Sequence, residues 1–129
     1  MSTATTASVS THILDTSIGR PAEGVAISLT ARSGSAAEWV ALGGSATDAD
    51  GRCKDLPALP EGTTHVRLDF QTEAYFSKKQ AEAQQDAPRV RDSGAFFPEV
   101  AITFAVVPGE HFHVPLLLNP FGYSVYRGS

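Results

Sequence analysis

The sequence lacks a second cysteine, a long apolar segment and an excess of basic residues. Cys53 is its only cysteine, so no intrachain disulfide can form and a reducing compartment is the simplest expectation. No apolar run approaches the roughly 20 residues that a membrane-spanning helix needs. With 10 basic and 14 acidic side chains, the formal net charge is −4, which argues against a nucleic-acid-binding protein. The expected partners therefore include neither a nucleic acid nor a membrane.

Targeting signals are also missing. Residues 1–10 have no basic start and no apolar core, so we expect no signal peptide. Residues 127–129 read Arg-Gly-Ser and not Ser-Lys-Leu, the peroxisomal address. These features predict a cytoplasmic protein, with import into peroxisomes by another route as the alternative.

The 129 residues, 42% hydrophobic and 19% charged, suffice for one domain with a buried core. We expect a flexible segment at 1–9 and a single domain at 10–129. One stretch, Glu73–Gln85, favours a helix. Seven or eight short strands with turns at roughly ten-residue spacing predict a mainly β fold, a β-sandwich with one short helix. The apolar or alternating segments are Thr11–Leu14, Val25–Thr30, Glu38–Leu42, Val66–Phe70, Val100–Val106, His111–Val114, Leu116–Leu118 and Tyr123–Tyr126.

Two of the four histidines, His111 and His113, are separated by one residue. On a strand both side chains point to the same face, which builds a paired imidazole surface. Such a pair suits a metal site or acid–base chemistry, and it also occurs as two solvated or core-edge histidines. His12 lies early in an apolar segment, where a lone histidine is more often structural. Arg52 follows an Asp-Gly turn signal, which places its guanidinium near the exit of a loop.

The C-terminal segment, Tyr123–Ser129, keeps aromatic and apolar character almost to its last residue, whereas most chain ends are polar and fray. We expect a final strand that runs to the end of the chain, with Arg127 and Ser129 on one face. An ordered end would also fix the α-carboxylate, which could orient nearby imidazoles. The alternative is an edge strand that happens to finish the chain.

Three blocks of sequence fit one known family. The first is Thr-His-Ile-Leu-Asp at 11–15, followed by Gly-Arg-Pro at 19–21, and the second ends in Asp-Gly-Arg at 50–52. The third runs from His-Phe-His-Val-Pro-Leu-Leu-Leu at 111–118 to Gly-Tyr-Ser-Val-Tyr-Arg-Gly-Ser at 122–129. With these blocks the chain resembles the transthyretin-like family of 5-hydroxyisourate hydrolases over essentially residues 10–129. The terminal Tyr-Arg-Gly-Ser is specific, because transthyretin itself lacks it.

The resemblance implies a transthyretin-like sandwich that hydrolyses 5-hydroxyisourate, the product of urate oxidation, to 2-oxo-4-hydroxy-4-carboxy-5-ureidoimidazoline. Water would attack a ring carbonyl with help from histidine, and arginine would bind the anionic substrate, without a cofactor or a metal. The family assembles as homotetramers with sites at the dimer–dimer interface. Its catalytic positions fall here on His12, Arg52, His113 and Ser129. As substrate-binding residues we add His111, Tyr126, Arg127 and Gly128.

The sequence departs from the family pattern at few positions. Asn119 stands where serine is common and Val125 where threonine is common, and neither is in the catalytic set. Residues 80–95 look longer than usual. Which of His12 and His113 is the general base stays open at this point.

Three other functions compete with this interpretation. A transthyretin-like carrier of small aromatic ligands would need neither the histidine cluster nor the Tyr-Arg-Gly-Ser end. A zinc hydrolase would use His12, His111 and His113 as three metal ligands, and the same cluster could bind zinc adventitiously. A purely structural sandwich would leave the clustered motifs unexplained.

Overall fold

Two β-sheets pack face to face with their apolar sides inward. The computed structural model describes residues 6–83 and 95–128. Within these ranges the single helix is α1 (Thr72–Ala83). The strands there are β1 (Ser8–Asp15), β2 (Arg20–Pro21), β3 (Ala26–Arg32), β4 (Val40–Ala46), β5 (Arg52–Cys53), β6 (His65–Phe70), β7 (Val100–Ala105), β8 (His111–Asn119) and β9 (Gly122–Val125).

One sheet has the strand order β2-β1-β8-β9, with β5 also paired to β1, and the other has the order β4-β3-β6-β7. Neighbouring strands are antiparallel except β1 and β8, which run parallel in register from Ser8 opposite His111 to Asp15 opposite Leu118. The predicted mainly β sandwich with one helix is confirmed. No helix of the described ranges is long and apolar enough to cross a membrane.

The core is built from alternate positions of the strands. In β1 the odd-numbered residues from Val9 to Asp15 are buried, whereas in β8 burial is strongest at even-numbered ones. The opposite sheet fills the same space with fully buried Leu29, Leu68 and Phe70. Ser8, Ser10 and His12 of β1 consequently share the outer face of the sheet with His111 and His113 of β8, whereas the polar Thr11 and Asp15 are buried.

β8 is one continuous strand, whereas the sequence suggested two pieces on either side of Pro115. A proline within a strand removes one ladder donor. β9 pairs only with residues 116–119 of β8, so Pro115 costs no β8–β9 hydrogen bond. Two residues earlier on the same edge, the carbonyl of His113 accepts the N–H of Gly128 at 2.7 Å. Pro115 therefore lies in the gap between that bridge and the β9 ladder.

The two ends of the chain differ from the sequence-based expectation. β1 begins at Ser8, and Ala7 and Val9 are buried, so ordered structure starts before residue 10. The expectation of a last strand running to the chain end is wrong, because β9 ends at Val125. Among residues 126–128, which the structure describes, Gly128 forms an isolated bridge with His113. Ser129, residues 1–5 and most of the 80–95 loop lie outside the described residues.

Gly51 makes a close approach that a side chain would prevent. Its φ is +76°, and an added Cβ would lie 2.4 Å from the carbonyl oxygen of Ile13. The N–H of Ile13 also donates to the Gly51 carbonyl at 2.7 Å. This contact holds the turn before β5 directly against β1.

Replacing Gly51 by alanine should therefore destabilise the fold more than the same change at Gly24. Both glycines have positive φ, +76° and +80°, so both alanines carry the left-handed penalty of about 1–2 kcal/mol. Nothing lies within 4 Å of a Cβ built on Gly24. We expect Gly51→Ala to lose roughly 1–3 kcal/mol more than Gly24→Ala in urea denaturation. Equal losses would show that the Gly51–Ile13 approach relaxes without cost.

Candidate active site

The parallel pairing of β1 with β8 collects the candidate histidines on the outer face of the sheet. Ser10 lies opposite His113, and Ser8 lies opposite His111. His12 follows two residues after Ser10 and therefore points to the same face. The intervening residues of both strands enter the core, which leaves these polar groups together on the other side.

The turn before β5 adds Arg52 to the edge of this cluster. Arg52 on β5 lies opposite His12 on β1, so the guanidinium and the imidazole belong to neighbouring strands. The Asp48 carboxylate accepts the backbone N–H groups of Asp50 and Arg52 at 2.9 and 3.0 Å. These bonds, the one from Arg52 first, lower the pKa of Asp48. Asp48 thus holds the turn that presents the exposed Arg52.

The same turn fixes the ring of His12. Its Nε2 lies 2.9 Å from the backbone carbonyl oxygen of Asp50. A carbonyl oxygen only accepts hydrogen bonds, so Nε2 carries a proton and donates it. In neutral His12 the other nitrogen, Nδ1, is then unprotonated.

A chain of hydrogen bonds links the other two histidines through serine hydroxyls. Ser8 Oγ is 2.6 Å from Nδ1 of His111, and Ser10 Oγ is 2.8 Å from its Nε2. The same Ser10 Oγ lies 2.9 Å from Nδ1 of His113. The two imidazoles are therefore bridged by one hydroxyl group.

His113 is half-buried, and its pKa is lowered from the usual value of 6.5. Burial is the main cause, because it penalises the charged imidazolium. His12, His111 and Arg52 lower the pKa of His113 further by adding positive charge nearby. His113 is consequently neutral at neutral pH and is able to accept a proton.

Gly128 packs directly against His113. Besides the hydrogen bond to the His113 carbonyl, a Cβ built on Gly128 would lie 2.8 Å from Cδ2 of the imidazole and 3.1 Å from Cγ of Pro115. Only a glycine allows the C-terminal segment to lie this close to the ring. The predicted site residue Gly128 is thus brought to His113.

Two other predicted site residues point elsewhere. The guanidinium of Arg127 lies 4.6 Å from the centroid of Phe112 and 3.2 Å from the Glu110 carboxylate. Phe112 faces the inside of the sandwich, opposite to His113. Tyr126 and Arg127 line a cavity of about 250 Å³ together with apolar residues of β7 and β8. Ser129, the fourth predicted catalytic residue, lies outside the described residues.

Sequence reasoning missed the groups that hold the histidines in place. Ser8 and Ser10 were not singled out, although alternation along β1 places them on the face of His12. The role of the Asp50 backbone carbonyl has no signal in the sequence, because every residue has a backbone carbonyl. In the part of the chain that the structure describes, no three histidine, cysteine or carboxylate side chains are grouped as a metal site.

The fold and the site together define a class of protein. It is a transthyretin-like sandwich whose outer sheet face carries His12, His113 and Arg52. The model of the HIUase/Transthyretin family matches residues 9–128, and the chain belongs to this family.

Named relatives agree with the family match. The 5-hydroxyisourate hydrolase of Salmonella typhimurium is 38% identical over 94% of this chain and 80% of its own length. The Uric acid degradation bifunctional protein TTL of Arabidopsis thaliana is 40% identical over 94% of this chain, which spans only 37% of that longer protein. The solved Klebsiella pneumoniae 5-hydroxyisourate hydrolase has a TM-score of 0.69 and 35% identity, with 100% of both chains covered.

Replacing Gly128 by alanine should raise the pKa of His113 toward 6.5. The new Cβ would force the ring and the C-terminal segment apart, so the burial that lowers this pKa would decrease. NMR titration of the His113 ring protons measures the change. Gly122→Ala is the matched control, because its Cβ would meet only Asn119 Oδ1 at an ordinary 3.9 Å. An unchanged His113 titration in Gly128→Ala would contradict the packing argument.

Proposed function

We propose that the protein is a 5-hydroxyisourate hydrolase that opens the ring of its substrate by histidine-assisted attack of water. The observation that carries the proposal is the convergence of His12, His113 and Arg52 on one sheet face. The family and the hydrolases found among its relatives support the same activity. The proposed product is 2-oxo-4-hydroxy-4-carboxy-5-ureidoimidazoline.

Arg52 is the proposed substrate-binding cation. The substrate is a planar, acidic, purine-like ring, and a guanidinium offers a planar set of donors that matches such an anion or a polarised carbonyl. Arg52 is exposed, and its hydrogen bond to Asp48 uses the backbone N–H and not the guanidinium. Bringing the anion beside His113 would also reduce the electrostatic penalty on an imidazolium there.

His113 is the proposed general base, and His12 the group that orients or protonates the substrate. A neutral imidazole takes a proton from water as the oxygen attacks the ring carbonyl, and it later returns the proton to the leaving nitrogen. The lowered pKa keeps His113 in its neutral form. His12 has its Nε2–H committed to Asp50, so its contribution comes through Nδ1.

The structure supports a role in the site more strongly for Gly128 than for the other C-terminal residues. Gly128 shapes the site by packing on His113. Arg127 would have to leave Glu110 to meet the substrate, and an exposed ion pair of this kind is worth only about 0–1 kcal/mol. Ser129 remains a proposed catalytic residue, and Tyr126 and His111 remain proposed substrate-binding residues.

A homotetramer is the proposed assembly, with sites at the interface between dimers. Exposed aromatic side chains in and just before β9 support an apolar contact, above all Phe121, which is 77% exposed, and Tyr123. Light scattering on the purified protein would measure the subunit number. The cytoplasmic location stays a prediction from the sequence.

An absorbance assay tests the activity itself. 5-Hydroxyisourate is generated in place from urate and urate oxidase, and its decay is followed with the purified protein and EDTA. We expect decay well above the spontaneous rate, because no metal takes part in the proposed chemistry. Acceleration only after zinc is added would instead favour the metal hydrolase, and no acceleration under either condition would favour a carrier.

Replacing His113 by asparagine should lower kcat by about 10²–10⁴-fold, the usual contribution of a positioned base. In the unmodified protein kcat/KM should fall only below pH 6.5, since the base is lost when pH drops through the lowered pKa of His113. His65→Asn on β6 of the other sheet is the control and should keep its rate. Normal turnover by His113→Asn would remove His113 from the mechanism.

A further inference from the structure

Ser10 contacts two histidines of the candidate site but has no role in the mechanism proposed above. Its hydroxyl touches the imidazoles of His111 and His113 at 2.8 and 2.9 Å, and Ser8 closes the chain on the far nitrogen of His111 at 2.6 Å. The distances to Ser10 are ordinary for hydrogen bonds between nitrogen and oxygen, and the one to Ser8 is slightly shorter. The four side chains thus form one connected series across β1 and β8.

Counting protons limits how this series can be arranged. A serine hydroxyl has one proton to donate, so Ser10 cannot donate to both ring nitrogens at once. At least one of the two imidazoles must therefore donate to Ser10. A neutral imidazole has one N–H and one bare nitrogen, so the direction of the bond at Ser10 decides which nitrogen of His113 is bare.

We infer that Ser10 is a positioning residue that selects the tautomer of His113, by accepting its Nδ1–H and donating to Nε2 of His111. His111 then donates its Nδ1–H to Ser8. In this arrangement Nε2 of His113 is bare and points away from the hydroxyl that holds the ring. The inference rests on the proposed function only in that a bare Nε2 is what a general base requires.

The same direction suits the protonated state of His113. When water gives its proton to Nε2, the oxygen–carbon bond forms and the ring becomes an imidazolium with both nitrogens protonated. Nδ1–H already donates to Ser10, so no hydroxyl has to rotate during the step. With the opposite direction, Ser10 would donate to Nδ1, and Nε2 would carry a proton and could not act as a base.

The strands supply the rigidity that such positioning needs. Ser10 and His113 are opposite each other in the parallel ladder, and Ser10 is half-buried. On the other side of His113, Gly128 closes against the ring carbon Cδ2. The imidazole is therefore held between the Ser10 hydroxyl, which lies in the β1–β8 ladder, and Gly128, which one backbone hydrogen bond joins to His113.

Nitrogen NMR of histidine-labelled protein reads the tautomer without any substrate. At about pH 8 His113 is neutral, because burial lowers its pKa from the usual 6.5. Protonated and bare ring nitrogens differ strongly in chemical shift. We expect the Nδ1–H form for His113, assigned by loss of its signals in His113→Asn. In Ser10→Ala we expect a shift toward the Nε2–H form, which imidazole in water prefers. An Nε2–H form in the unmodified protein would overturn the inference.

Kinetics supplies the second measurement. Ser10→Ala should lower kcat by about tenfold with little change in KM, since an orientation is lost and not a substrate contact. Ser10→Thr keeps the hydroxyl and should restore most of the rate. Ser28→Ala, an exposed serine on β3 of the other sheet, is the control that should not change kcat.

The two measurements separate failure of this inference from failure of the proposed function. If the unmodified protein does not accelerate 5-hydroxyisourate decay, the hydrolase proposal falls while the tautomer spectrum still reports the role of Ser10. If Ser10→Ala is slow but His113 keeps its Nδ1–H form, Ser10 acts only on the fold, and the inference is wrong.

Discussion

The parallel register between β1 and β8 is the constraint on which the rest of the site depends. Along most of their length these strands bury one set of alternate side chains in the core and leave the other on the outer face. A slip by one residue would send His12 into the core and Ile13 to solvent. Burial of Ile13, Leu116 and Leu118 stabilises the fold by roughly 1.5–3 kcal/mol for each side chain. The core therefore enforces the register. The histidine cluster is therefore positioned by the apolar residues between its members.

The turn at residues 48–51 is the second element that ties the site to the fold. It connects to β1 through the Ile13–Gly51 hydrogen bond and to His12 through the Asp50 carbonyl. It also carries Arg52, which Asp48 holds by a backbone hydrogen bond. One short turn thus fixes the orientation of the His12 ring and the backbone position of Arg52.

Much of the fold was predictable, since alternation marks strands wherever one face is buried. The strands around Val66 and Val100 and the helix after Thr72 begin within about one residue of the predicted positions. The His-x-His pattern correctly placed His111 and His113 on one face. Pro115 led to the wrong prediction of two separate pieces, because prolines are rare inside strands and the gap in the β9 ladder that tolerates this one is not visible in the sequence.

The sequence by itself determined the sandwich, the location of His111 and His113 on one face of a strand, and the family to which these motifs belong. These features depend on local alternation and on residue identities, both of which can be read directly from the sequence. Only the tertiary structure decided that Ser10 bridges the two imidazoles, that the Asp50 carbonyl holds His12, and that Arg127 turns toward Glu110. Each of these contacts joins residues far apart in the chain, or uses a backbone group that every residue has. Their geometry follows from which strands become neighbours in the sheet, and the alternation within one strand does not specify its neighbour.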